Sequence, residues 1–225
     1  KNGGMSREKA EALWELFVPF QGYGFNKAHA ASYGHIAYVT AYLKANFPEI
    51  YMSAVLTAES GDVETIGIMV NECKRMGIPV LPPDVNESHK AFTVVMAPFE
   101  GRHQEVIRFG LVTIKNFGEG IADSIIRERD AHGKFQTLED FLLRIKDRNL
   151  NKKSLESLIK AGAMDAFGDR GVLLHNLDVL LHYNKETSAL PAHEDTLFGS
   201  LSKEDFSAKL VLETGYTASM EDKLG

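Results

Sequence analysis

Ala10, Leu13, Trp14 and Phe17 recur at the spacing of one helical face behind Ser6, a possible cap. They predict a short packing helix that Pro19 should end, with Trp14 in a core. The glycine-punctuated loop Gly22-Tyr23-Gly24-Phe25-Asn26 follows, and then a long helical pattern. In it Ile36, Val39, Leu43 and Phe47 share a stripe that Tyr38 and Tyr42 widen, and its low charge implies that both flanks are largely buried. Pro48 suits the first turn of another helix running to Leu56, and Asp62 can cap a further one that ends near Met76, with Gly77 as a left-handed stop.

From Ile78 to about Gly110 the texture changes. Ile78-Pro79-Val80-Leu81-Pro82-Pro83 reads as extended chain, and Phe92–Val95 and Val106–Phe109 as short strands. Helical patterns return from Leu111 to about Asn184, broken at Asn116-Phe117-Gly118, at Gly133 and at Ala161-Gly162-Ala163. Beyond that, periodicity is lost and acidic residues outnumber lysines, the mark of a loosely ordered tail. The expected fold is mainly α, in four parts: a helical region over 1–77, a small β connector over 78–110, a helical domain over 111–184 and an acidic tail over 185–225.

Composition narrows the function. The 225 residues are 44% hydrophobic and 25% charged, ordinary globular proportions. A net charge of −6 means that any nucleic-acid contact must use a local patch. One cysteine, Cys73, allows neither an internal disulfide nor a thiolate metal cluster and fits a reducing, cytoplasmic setting. The longest stretch without Asp, Glu, Lys or Arg, Ala28–Leu43, is too short and too polar to span a bilayer. The chain starts at Lys1 without methionine and is expected to be cut from a longer protein.

The most specific chemistry lies between Leu111 and Arg129. A short helix from Leu111 must reverse at Asn116–Gly118, where asparagine and glycine accept left-handed backbone, with Phe117 tucked between the helices. Ala122 then permits close helix contact, and a second helix from Glu119 or Gly120 presents Ile125 and Ile126 to the core. Such a turn leaves amides exposed at a helix N-terminus, where a backbone phosphate is attracted. The layout resembles the helix-hairpin-helix motif: Gly118, Ala122 and Ile125 match in register, while Asn116 stands where the first glycine is usual. A second unit spans Leu150–Asp165, with Asn151 capping a helix that carries Leu155, Leu158 and Ile159 before Gly162 turns the chain. Arg144, Lys146, Arg148, Lys152, Lys153 and Lys160, opposed by Asp147 and Glu156, make a local basic excess there. Lys115, Asn116, Phe117, Gly118, Gly120, Lys152, Lys153 and Gly162 are therefore the DNA-binding candidates, against the alternative of an ordinary helical hairpin with a solvated face.

A wider resemblance runs in order along the chain. Gly22–Tyr33, Tyr42-Leu43-Lys44-Ala45 with Pro48, Leu81–Asn86, Ile114–Gly120, Leu150–Lys153 and Leu158–Asp165 are similar to the C-family of bacterial replicative DNA polymerases. The resemblance implies a stretch from the late fingers through a tandem helix-hairpin-helix domain to a clamp-binding segment. It implies a parent that is a DNA-directed DNA polymerase using Mg2+, with primer-template DNA, an incoming deoxynucleoside triphosphate, a sliding clamp and other replicative holoenzyme subunits as partners, and no membrane. The family's metal-binding carboxylates sit in an upstream palm, so no catalytic residue, metal site or cofactor is expected here, and no polymerase activity from this piece alone.

Within that frame Asn26 can cap the helix starting near Lys27, and Asn26, Lys27 and His29 become candidates for nucleotide or primer-terminus contacts. In the tail, Glu194-Asp195-Thr196-Leu197-Phe198 is similar to a clamp-binding peptide, with Leu197 and Phe198 as apolar anchors and Glu194 where glutamine is usual. A hairpin module of a repair or recombination protein and a purely structural helical adaptor remain as alternatives. His175 and His182 lie on one expected helix, Arg170–Asn184, without a third metal ligand, Cys73 is expected to be half-buried, and Met69 and Met76 to fill gaps.

Overall fold

The computed structural model describes residues 4–21, 27–189 and 210–217. The chain divides into two units, 1–48 and 49–225, each described by itself.

The first unit holds α1 (Arg7–Gln21) and α2 (Lys27–Asn46). Pro19 lies inside α1, not at its end. Near a helix terminus the missing proline N–H costs one hydrogen bond, and the last turn continues past it. Trp14 is 62% exposed, so it is not a core residue here, and none of the described residues of α2 is buried. Ile36, Val39, Leu43, Phe47, Tyr38 and Tyr42 are all exposed, contrary to the expectation of two buried flanks. Periodicity reports that a helix face prefers an apolar neighbour; it does not guarantee one among the described residues of the unit.

The second unit holds α3 (Pro48–Ala58), from its second residue on, and α4 (Val63–Arg75). Asp62 caps α4 through the amides of Glu64 and Thr65, and Gly77 ends it at φ 75°. These helices pack on a three-stranded sheet of β1 (Val80–Leu81), β2 (Thr93–Phe99) and β3 (Arg102–Arg108), ordered β1-β3-β2. β1 runs parallel to β3 with Val80 opposite Ile107. β2 and β3 form a hairpin with Val95 opposite Val106. Its turn, Glu100-Gly101, takes positive φ at both residues, the geometry that matches strand twist. Met52, Leu56, Cys73, Ile78, Phe92 and Ile107 form the core of this part; Cys73 is fully buried, beyond the half-burial expected of it.

The helical domain follows: α5 (Glu119–His132), α6 (Leu138–Arg144), α7 (Lys152–Lys160), α8 (Arg170–His175) and α9 (Leu177–Ala189). The helix expected over Arg170–Asn184 is two helices. Asn176 breaks it, giving its side-chain amide to the carbonyls of Val172 and Glu213, both within 2.9 Å. One core runs through this domain, from Leu111, Phe117, Ala122 and Ile125 to Leu155, Leu158, Leu180 and Tyr183. Of the tail, residues 210–217 carry no helix or strand, yet they are docked. Leu210 and Leu212 pack on the core, Glu213 bonds His175 at 2.9 Å, and Tyr216 stacks on the His175 ring.

The connector is fastened to the domain by polar ties as well as apolar contacts. Arg129, only 7% exposed, donates to the carbonyls of Ser88 (2.7 Å) and Val85 (3.3 Å). Asn86 exchanges hydrogen bonds with the backbone of Phe135, and Val85 is fully buried with its amide on the Ala163 carbonyl. The block Pro82-Pro83-Asp84-Val85-Asn86 is thus a structural seam: its polar groups satisfy buried backbone that would otherwise be stranded.

Candidate nucleic-acid interface

The first hairpin is built tightly. The segment from Leu111 closes as a single 3-10 turn, Leu111–Thr113, rather than a full helical turn, and the Phe117 amide returns to the Ile114 carbonyl. Asn116 takes the left-handed conformation at φ 63°, Phe117 is buried, and Ala122 and Ile125 are fully buried. Gly118, expected to be left-handed as well, is extended at φ −82° and serves as the N-cap of α5 without a side-chain cap bond. The reversal therefore falls on Asn116 alone. The amides of Gly118, Glu119 and Gly120 have no acceptor among the described residues, and a Cβ on Gly118 would meet nothing within 4 Å. Together they form an open helix end whose free amides can donate to a phosphate oxygen.

The second unit differs at the same point. Asn151 and Ser154 form a complete capping box at α7, so the amides of Lys153 and Ser154 are already bonded. At the far end of α7, Gly162 turns the chain at φ 80°, and the amides of Gly162 and Ala163 return to Ile159 and Leu158. Arg170 lies over this turn, paired with Asp165 at 2.7 Å, and a Cβ at Gly162 would come within 2.1 Å of the guanidinium. The hydrogen bond to Asp165 raises the Arg170 pKa. The Gly162 turn is thus covered by the protein's own cation, and its left-handed backbone explains the glycine without a ligand.

The two hairpins meet in a cleft of about 540 Å³ lined by Lys115, Asn116, Lys153, Lys160, Pro82 and Pro83, among others. Lys115 and Lys153, far apart in the chain, thereby line the same cleft, and both are exposed. The rest of the basic run is partly engaged within the protein. Lys152 pairs with Asp178 at 2.8 Å and Lys160 with Glu156 at 2.9 Å. Arg144 is spent on Glu128 and Asp140 and on the ring of Phe135, 4.4 Å from its centroid. Lys146 and Arg148 line a second concavity with Arg127 and Asp147. The Asp147 carboxyl is held below its ordinary pKa by hydrogen bonds from the Ser124 hydroxyl and the Asn149 amide, with the Arg148 charge as a smaller contribution.

Lys27 and His29 occupy the exposed first turn of α2, with the His29 ring 4.3 Å from that of Tyr33. Asn26 and the tail residues Glu194, Leu197 and Phe198 lie outside the described residues. Among the described residues no group of three or more His, Cys, Asp or Glu converges to hold a metal ion. Nor is any helix among them long and apolar enough to cross a membrane. Sequence reasoning passed over Arg129, Arg170 and Lys90. Their one available signal is a charge beside an apolar or glycine position, which does not tell an anchoring cation from a solvated one.

Comparison with known proteins agrees with this geometry. Residues 77–173 match a family model described as the helix-hairpin-helix motif. The chain is 45% identical over 187 residues to the DNA polymerase III subunit alpha of Thermus aquaticus, covering 83% of this chain and 15% of that protein. It is 42% identical over 204 residues to the subunit of the same name from Borreliella burgdorferi, covering 90% of this chain and 17% of that one. For the Chlamydia pneumoniae subunit the identity is 43% over 180 residues, covering 80% and 14% respectively. The chain thus spans less than a fifth of the length of these relatives.

Proposed function

We propose that this chain, a homologue along most of its length of one stretch of the DNA polymerase III alpha subunits, grips the sugar-phosphate backbone of duplex primer-template DNA within a DNA-directed DNA polymerase. The observation that carries the reading is the uncapped N-terminus of α5 at Gly118, beside a cleft that gathers Lys115 and Lys153 from two separate hairpins. Amides and lysines recognise phosphate oxygens and read no base edge, so binding is independent of sequence and falls with salt. Gly162 and Lys152, engaged within the protein, are the weaker members of the candidate set.

Around that grip the rest of the reading is assembled from the resemblance. Asn26, Lys27 and His29 would approach the incoming nucleotide or the primer terminus, and Glu194, Leu197 and Phe198 would tether a sliding clamp from the tail. The in-line chemistry and its Mg2+ would be supplied by carboxylates elsewhere in the parent polymerase, in the cytoplasm, so the chain alone incorporates no nucleotide.

Fluorescence anisotropy of a labelled primer-template duplex, titrated with the chain over a series of salt concentrations, tests the grip. Wild-type chain should bind with an affinity that falls with salt. Lys115→Ala/Lys153→Ala should reduce the slope of log K against log salt by about 1.8, two phosphates' worth at about 0.9 each. An unchanged slope, or no binding at low salt, would refute the reading and favour a structural helical adaptor.

A further inference from the structure

The mouth of the open hairpin carries an anion of its own. Glu119 is the first residue of α5, and Asp123 lies one turn on along the same face. Both carboxylates are held by one residue of the β connector: the Lys90 ammonium lies 2.6 Å from Asp123 and 3.1 Å from Glu119. Hydrogen bonds to Asp123, and then to Glu119, raise the Lys90 pKa, so it remains a cation wherever DNA is bound. Its backbone is fixed in turn, because the Leu111 amide bonds the His89 carbonyl at 2.9 Å and the Val112 amide bonds the Lys90 carbonyl at 3.1 Å. Connector and hairpin are stitched together at the residue that offsets part of the hairpin's acidic flank.

We propose that Lys90 is a positioning residue for DNA: it touches no phosphate, but offsets one of the two charges of Glu119 and Asp123 and holds both carboxylates to one side so that a phosphate can approach the amides of Gly118, Glu119 and Gly120. This rests on the duplex-binding reading above. Without Lys90, two carboxylates face the incoming phosphate across water, and repulsion on that scale weakens binding by about fivefold. A lysine that instead bonded a phosphate would, on removal, lower the salt slope by about 0.9, and removing the two carboxylates would not restore it.

The test uses the same anisotropy assay on wild-type chain, Lys90→Met, Lys90→Met/Glu119→Gln/Asp123→Asn, and Glu119→Gln/Asp123→Asn. Lys90→Met should bind about fivefold more weakly at low salt, with the deficit shrinking as salt rises, and the triple variant should return to within about twofold of wild type at every salt concentration. Unchanged affinity in Lys90→Met, or a reduced slope that the triple variant does not rescue, would overturn the proposal while leaving duplex binding intact. If Lys90→Met fails to fold, the double variant decides: it should bind more tightly than wild type, and equal affinity would refute the role. Failure of the wild-type chain to bind any duplex would instead overturn the duplex reading, and this inference with it.

Discussion

Gly110→Ala should be the most damaging single methyl in the second unit. Gly110 is buried, with ordinary φ of −79°, so the demand for glycine is one of space. A Cβ there would sit 2.2 Å from the Lys90 carbonyl oxygen and 2.4 and 2.6 Å from the Ala91 carbonyl carbon and Cα. All three are backbone atoms that no rotamer change can move, so the connector must shift away from the hairpin. That shift stretches the Leu111–His89 and Val112–Lys90 hydrogen bonds, now 2.9 and 3.1 Å. Losing both at about 1 kcal/mol each, with about 1–2 kcal/mol of overpacking, gives a cost of about 3–4 kcal/mol. With an m-value of about 2 kcal/mol/M, the urea midpoint should fall by about 1.5–2 M. The single tryptophan, Trp14, belongs to the other unit and is a poor reporter. The unfolding should therefore be followed by far-UV circular dichroism, with hydrogen exchange at the Leu111 and Val112 amides. A midpoint shift below about 0.5 M with unchanged protection of those amides would refute the close-approach argument.

Gly118→Ala should behave oppositely, because its Cβ points into open space: stability should change by less than about 0.5 kcal/mol, while duplex affinity falls several-fold as the methyl stands before the free amides. Matching affinities in anisotropy would mean that no phosphate approaches there. Asp147 governs part of the acid response. Its pKa is lowered in the folded chain, so its stabilisation is complete above the ordinary carboxylate value and is lost as pH falls towards the folded one. Urea midpoints measured below about pH 4 should fall less steeply for Asp147→Asn than for wild type, and parallel acid limbs would contradict this.

Much of the local structure was legible. Asp62 and Gly77 mark the ends of α4, Asn151 starts α7, and Asn116 carries the left-handed reversal. In each case the signal is a backbone requirement met by the residue itself or by its neighbours within one turn, which a sequence pattern can express. The site was legible in its type but not in its membership. Six basic residues between Arg144 and Lys160 look equivalent in sequence, yet Arg144, Lys152 and Lys160 are paired with carboxylates, and Lys153 shares a cleft with Lys115. The two glycines exchanged meanings as well: Gly118, expected to be left-handed, is extended and leaves amides open, whereas Gly162 supplies a left-handed turn that Arg170 covers.

Sequence by itself determined the helical class, the hairpin at Asn116 and the ordered blocks that tie this chain to its polymerase relatives, because caps, turns and apolar periods act over a few residues. Only the tertiary structure decided which helix end is open, which lysines keep their charge for a ligand and which spend it internally, and how Lys90 comes to guard the mouth of a hairpin 29 residues away. Those outcomes depend on what faces each group across the fold, and a charge or a glycine carries the same letter whether its neighbour is water, a carboxylate or another backbone.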